Sequence, residues 1–186
     1  LNIMKNKKWK ILQTKKIYNS QWVDLYLQKI QLPNGNKIND FHRIKLQSSV
    51  VILPVTKDGN IITIKSYKHG IRDITRSLPA GYINKGEKPL DAAKRELLEE
   101  TGYGKAKKWI NFGSYVSNSN YHCGKINFFV CIDVLKIKKQ NSGDLEDIQI
   151  ESLKIKSIKK LLESNRIKSL SSSFLISKWL IHTNNN

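Results

Sequence analysis

Five acids within fourteen residues, Glu87, Asp91, Glu96, Glu99 and Glu100, fall in the stretch SLPAGYINKGEKPLDAAKRELLEETGY of a chain whose formal net charge is +18. PLDAAKRELLEET reads as a helix. Pro89 suits its first turn, Ala, Leu, Lys and Glu are good helix formers, and Gly102 is a natural stop. Leu90, Ala93 and Leu97 share one face and predict burial against a sheet. Glu96 and Glu100, four apart, stack on a neighbouring side, with Glu99 three from Glu96. Like charges at these spacings destabilise a helix by roughly 0.2–0.5 kcal/mol per pair. A cation that binds there reverses the sign. Converging carboxylate oxygens are hard donors suited to Mg²⁺ or Mn²⁺. A second acidic segment, DLEDIQIE, contains Asp144, Glu146, Asp147 and Glu151. Together the stretches 87–100 and 144–151 hold nine of the fifteen acids.

The flanking pattern sets the fold class. QWVDLYLQKIQL ends at the turn signal PNGN, and KINDFHRIKL follows as its hairpin partner. SSVVILPV is a continuous apolar run of the kind a buried central strand shows. KDGN turns it into IITIKSY, a second hairpin. KKWINFGSYV, KINFFVCIDVL and IQIESLKI read as later strands, and SIKKLLESNRI and SLSSSFLISKWLI carry helical spacing. Strands first, one central helix and helices last predict an α+β domain with helices on a mixed sheet. A chain of 186 residues is one domain by size, 1–186, divided into N-terminal strands over 1–47 and a core over 48–182.

No run of about 18 apolar residues occurs, so no membrane partner is expected. The start LNIMKNKKWKIL has basic residues but no apolar h-region, so a cytoplasmic protein is expected. Cys123 and Cys131, eight apart, have neither disulfide-framework nor metal spacing and read as reduced thiols in strands. Only five of the 33 basic residues are Arg. The lysine excess accompanies much Ile and Asn, so it reads first as composition. Its functional counterpart is attraction of a polyanion, whether nucleic acid or a phosphorylated metabolite.

Gly81, five residues, Glu87, seven residues, then Arg95-Glu96-Leu97-x-Glu99-Glu100-x-Gly102-Tyr103 resembles the Nudix box at all seven fixed positions. A chance match is on the order of 10⁻⁸ to 10⁻⁹ per starting position at typical residue usage. LPNG, VVILPV, LPAG, the box and LEDIQIE follow in the order of the ADP-ribose pyrophosphatase branch. The resemblance implies an α/β/α sandwich with a mixed sheet. It also implies hydrolysis of a nucleoside diphosphate linked to another moiety, most similar to ADP-ribose or a related nucleotide sugar, with Mg²⁺ or Mn²⁺ as cofactor. By position, Ala80 (through its carbonyl), Glu96, Glu99 and Glu100 would be metal ligands. Glu99, Glu100 and Glu146 would be catalytic, with Asp147 second to Glu146. Gly81, Glu87, Arg95 and Gly102 would be structural in the motif.

Arg43, Lys68 and Arg76 are candidates for the substrate phosphates, and Trp9, Tyr18, Trp22 and Phe41 for stacking on a base. Related enzymes form homodimers through the region corresponding to 1–47. Two positions depart from the branch: Ser77 stands where Glu precedes LPAG, and Lys68 stands where Arg is usual. An ammonium is a point charge and cannot grip a pyrophosphate bidentately as a guanidinium does. Two alternatives compete with the nucleotide-sugar reading: an RNA 5′-pyrophosphohydrolase, which the charge suits although no RNA-binding module is visible, and a non-catalytic ligand or nucleic-acid binder. The complete set of box carboxylates argues against the latter.

Overall fold

The structure, a computed structural model, describes residues 8–122, 124–140 and 148–184. The chain forms two compact units, Leu1–Gln47 with Val116–Gly124, and Ser48–Tyr115 with Lys125–Asn186.

The first unit is built on a three-stranded antiparallel sheet, β1 (Lys10–Asn19), β2 (Val23–Gln31) and β3 (Lys37–Leu46), in that spatial order. The hairpin expected across PNGN is β2–β3. Gly35 takes φ 91° in its turn, and the Leu32 and Gly35 amides close it onto Asn36 O and Leu32 O at 2.8 and 3.0 Å. Strand β1 is exposed along its whole length. It therefore carries no inside–outside alternation, and the hydrophobic pattern that located β2 and β3 did not reveal it.

In the second unit the apolar run SSVVILPV becomes β4 (Ser49–Thr56), buried over Val50–Val55. Next come β5 (Ile61–Lys68), a short 3₁₀ turn at His69–Ile71, β6 (Asp73–Ser77) and β7 (Ala80–Tyr82). After these lie α1 (Pro89–Thr101), β8 (Tyr103–Gly104), β9 (Lys108–Val116), β10 (Lys125–Lys136), β11 (Gln149–Leu153), α2 (Ile155–Glu163) and α3 (Leu170–Asn184). The principal strand order is β11-β5-β4-β10-β8, with β6 on β5, β7 on β4 and β9 on β10. β4 runs parallel to β10 and antiparallel to β5 and β7, so the sheet is mixed and the domain α+β, as expected.

Alternation along β4 assigns each face its helices. Val50 and Ile52 pack with Ala92, Ala93 and Leu97 of α1. Val51, Leu53 and Val55 pack with Ile158 of α2 and with Leu175 and Ile176 of α3. One strand thus glues two helical layers to one sheet. Helix α1 spans the residues its sequence signals marked. Pro89 opens it, and Gly102 ends it in the left-handed region (φ 72°, ψ 4°) with its amide on Leu98 O at 3.0 Å. A side chain at Gly102 would also meet Lys138 O at 2.1 Å.

One further detail of topology matters for function. β4 and β5 pair only at Val55↔Ile61. Beyond that hairpin they part: β5 takes β6 as partner over Ile64–Lys68, and β4 takes β7 over Ser49–Val51. Leu78 and Pro79 bridge the gap, with Ile52 N donating to Pro79 O at 2.9 Å. The sheet therefore splays where the chain passes from β6 to β7.

Cys131 is a free, buried thiol in β10, its pKa pushed up by burial. Cys123 lies outside the described residues. No helix among the described residues is long and apolar enough to cross a membrane.

Candidate metal and diphosphate site

Helix α1 buries Ala92, Ala93 and Leu97, and on its neighbouring side Glu96 and Glu100 meet β7 while Glu99 meets Arg95. At Gly81 an added Cβ would lie 2.0 Å from Glu96 Cδ and 2.2 Å from both carboxylate oxygens. Only glycine lets the Glu96 carboxylate rest against the strand backbone. One residue earlier, the Ala80 amide donates to Glu100 Oε2 at 2.9 Å. Two consecutive residues of β7 thereby seat two carboxylates of α1.

Arg95 organises the rest. Its Nε and Nη2 donate to the two oxygens of Glu87, each at 2.9 Å, and Nη2 also reaches Tyr82 O at 2.9 Å. Nη1 donates to Glu96 Oε1 at 2.6 Å and to Glu99 Oε2 at 3.3 Å. Glu87 in turn accepts from the Asn84 amide at 2.9 Å. Hydrogen bonds from Arg95, and then from Asn84, hold the Glu87 carboxyl down at about 2, and the same carboxylates push the Arg95 pKa up.

These residues fit a hard divalent ion by the chemistry of the donor set. Glu96, Glu99 and Glu100 offer carboxylate oxygens from α1, and Gly81 leaves room for that of Glu96. Among the described residues no three His, Cys, Asp or Glu side chains already form a ligand cluster. Arg95 Nη1 instead lies between Glu96 and Glu99 and supplies the positive charge their proximity demands.

Lys68 and Arg76 are separated by strand alternation. Lys68 shares a face of β5 with Ile64, and together with Ser77, Ala80 and Glu100 it lines a cavity of about 210 Å³ in the splay of the sheet. Arg76 pairs with Lys65 on the opposite face. There its guanidinium makes two bonds to Glu151, 2.6 and 3.0 Å, so this acid of the second cluster serves an ion pair. Arg43 belongs to the first unit, where its guanidinium carbon lies 5.6 Å from the Tyr26 ring centroid. Trp9 and Phe41 also meet within that unit, edge to face at 6.3 Å, beside a hollow of about 630 Å³ lined also by Asp40, His42, Asn120 and Tyr121. Glu146, Asp144 and Asp147 lie outside the described residues. The polar wall of the 210 Å³ cavity, Thr75, Ser77, Ser169 and Ser172, was not assembled by sequence reasoning. Ser77 stood out only as a departure from a motif, and the SLSSS run that starts α3 was the remaining signal.

The NUDIX domain family matches residues 45–170. The chain therefore belongs to the NUDIX hydrolase family. It is 29% identical to an ADP-ribose pyrophosphatase of Bacillus subtilis (strain 168) over 175 residues, covering 93% of each chain. It is 26% identical to a methanol dehydrogenase activator of Bacillus methanolicus over 145 residues, 77% of this chain and 76% of that one. A crystal structure of an ADP compounds hydrolase superposes with a TM-score of 0.76 at 22% identity, over 95% of this chain and 96% of the other, and shares the fold.

Two expectations follow from this geometry. Gly81→Ala forces the Glu96 carboxylate off β7 and should lower Mg²⁺ affinity by about 10-fold or more, since displaced ligand support typically has that effect. Titration calorimetry reads it, and unchanged affinity would refute the seat assigned to Glu96. For Glu87 the folded pKa is depressed, so its contribution to stability is complete above the usual carboxylate pKa of 4.5 and is lost as pH falls through about 2. Denaturant midpoints from pH 7 to pH 2 should therefore fall more steeply for the native chain than for Glu87→Gln. Parallel curves would mean that the brace does not stabilise the fold.

Proposed function

We propose that this chain hydrolyses the pyrophosphate bond of a nucleoside diphosphate joined to a second moiety, ADP-ribose or a related nucleotide sugar, with Mg²⁺ or Mn²⁺. The observation that carries the reading is the seating of Glu96 and Glu100 against Gly81 and Ala80 at the edge of a cavity that also holds Lys68. Glu96, Glu99, Glu100 and the Ala80 carbonyl would hold the metal. When bound, the ion neutralises the diphosphate oxygens and acidifies the attacking water. Lys68 adds positive charge beside the phosphates. A carboxylate takes the proton of the attacking water, and Glu146 is the residue assigned to that step, with Glu99 and Glu100 in support. The water oxygen bonds to phosphorus as the bridging P–O bond breaks, and the two phosphate monoesters separate.

The test is product analysis with each metal across ADP-ribose, other nucleotide sugars, a dinucleoside polyphosphate and 5′-triphosphorylated RNA. AMP plus ribose 5-phosphate from ADP-ribose is the expected result, with turnover abolished by chelator and reduced at least about 10³-fold in Glu100→Gln. Full activity of that variant would remove Glu100 from the metal set. The net charge of +18 favours RNA as the second substrate class. Turnover of the RNA alone, collapsing between low and moderate salt, would replace the nucleotide-sugar reading.

The region 1–47 is proposed as a homodimer surface. β1 exposes Ile11, Leu12, Ile17 and Tyr18, and Trp9 precedes it. Light scattering should give twice the chain mass, and Ile11→Lys with Ile17→Lys should return the monomer. A monomeric native chain at micromolar concentration would sink this assignment.

A further inference from the structure

Six lysines gather at one corner of the larger sheet from two separate segments. Lys105, Lys107 and Lys108 lie between β8 and the start of β9, and Lys136, Lys138 and Lys139 at the end of β10 and just beyond it. Backbone pairing brings the segments together. Tyr103 and Gly104 of β8 stand opposite Lys136 and Leu135 of β10. The Lys107 amide donates to Ile132 O at 2.9 Å, and the Ile137 and Lys138 amides donate to Gly102 O at 2.9 and 3.2 Å. All six lysines are exposed.

Composition alone does not account for this corner. Elsewhere lysines interleave with acids, as Lys88 and Lys94 do with Glu87 and Asp91, or pair with them, as Lys16 does with Asp24 and Lys168 with Asp73. Over residues 103–140 the only acid is Asp133, whose carboxylate lies 4.0 Å from the Lys107 ammonium. Asp144, Glu146 and Asp147, the next acids in sequence, lie outside the described residues. Lysines that merely guard a sheet edge would sit on β8 and β9. Lys136, Lys138 and Lys139 belong instead to β10 and the chain beyond it. Ammonium groups placed in this way repel one another and favour a polyanion.

The apolar side chains of the patch decide which polyanion fits. Leu135 is 51% exposed and Ile137 43%, and they alternate in sequence with Lys136 and Lys138. Ile137 lies over β8, where a Cβ on Gly104 would meet its Cδ1 at 2.9 Å. Tyr103 is half-buried, with the Lys136 ammonium 6.0 Å from its ring centroid. The corner has no Arg and no exposed aromatic ring, so it offers neither a fork for a phosphate nor a platform for bases. Lysines flanking exposed aliphatic side chains match an anionic bilayer instead. There ammonium groups meet the headgroups, and apolar side chains enter the acyl boundary. Such contact is peripheral and needs no spanning segment.

We propose that this corner docks the protein on an anionic lipid surface, with the six lysines as electrostatic contacts and Leu135 and Ile137 as the inserted side chains. None of these residues belongs to the diphosphate site, so the proposal stands independently of the catalytic reading. Each lysine contributes about a fivefold gain in binding at such a surface, and the gain falls with added salt.

The test is sedimentation of the full chain with vesicles of phosphatidylcholine, alone or with about one third phosphatidylglycerol. Chelator is present, so that no metal bridges the acids of the protein to lipid phosphates. Binding to the anionic vesicles alone is the expected result. The triple variant Lys105→Gln, Lys107→Gln, Lys108→Gln should weaken it by about 100-fold, and Leu135→Ser by about 5-fold. The triple variant Lys156→Gln, Lys159→Gln, Lys160→Gln removes the same charge from exposed positions of α2 and should weaken binding less than about threefold. Circular dichroism checks folding, and if Leu135→Ser does not fold, the two lysine variants decide. Equal losses in both would mean that net charge and not this corner drives binding, and would overturn the proposal. Failure of the native chain to bind anionic vesicles would do the same. A chain that ignores vesicles but holds a single-stranded RNA oligomer through Lys105, Lys107 and Lys108, indifferent to Leu135→Ser, would assign the corner to nucleic acid instead.

Discussion

Everything at the candidate site depends on the guanidinium of Arg95. Three carboxylates on one turn and a half of helix repel each other, and no helix propensity offsets that repulsion on its own. Arg95 contacts two of them, Glu96 and Glu99, from within the same helix, and spends its remaining donors on Glu87 and Tyr82 O. The loop before α1 is thus fastened to the helix by the same group that compensates the helix charge. Removing that group would release the loop and restore the repulsion together. This coupling is the physical reason an Arg stands amid the acids, where a Lys could not span four acceptors with one rigid fork.

The second constraint is the parting of β4 and β5. A fully paired sheet would carry its backbone hydrogen bonds straight past the end of α1 and leave no opening. Here each strand takes a different partner, β6 for β5 and β7 for β4. The backbone groups stay satisfied while a wedge forms between them. Ala80 and Gly81 lie on one lip of the wedge, Thr75 and Ser77 on the other, and the first turn of α3 closes the back. The metal-type donors and the hydroxyl wall are therefore neighbours because of one topological event and not because of sequence proximity.

Sequence reasoning reached the helix and its bounds because capping and periodicity are local. Pro89, Gly102 and the Leu90–Ala93–Leu97 face carry that information without any partner. It reached the central strand because a strand buried on both faces reads as an unbroken apolar run. It did not reach β1, which is exposed throughout, or the short β6 and β7, whose three to five residues are too few to show a period. The basic side chains were legible as charges but not as positions. Lys68 and Arg76 differ by an even number of residues in sequence, yet they reach opposite faces because the hairpin register pairs Arg76 with Lys65.

By itself, the sequence determined the chemistry available to this protein: carboxylates at helical spacing, a glycine two residues before the loop, an arginine among the acids, and hence membership of a family that handles diphosphates. Those features are short-range, and short-range patterns survive without a fold. Tertiary structure alone decided which carboxylate sits on Ala80 and which on Gly81, that Arg76 is held by Glu151, and that serines ninety residues apart share one wall. Those outcomes depend on strand register and on where a sheet divides. Both are set by the sum of packing on two faces, which no local stretch of residues encodes.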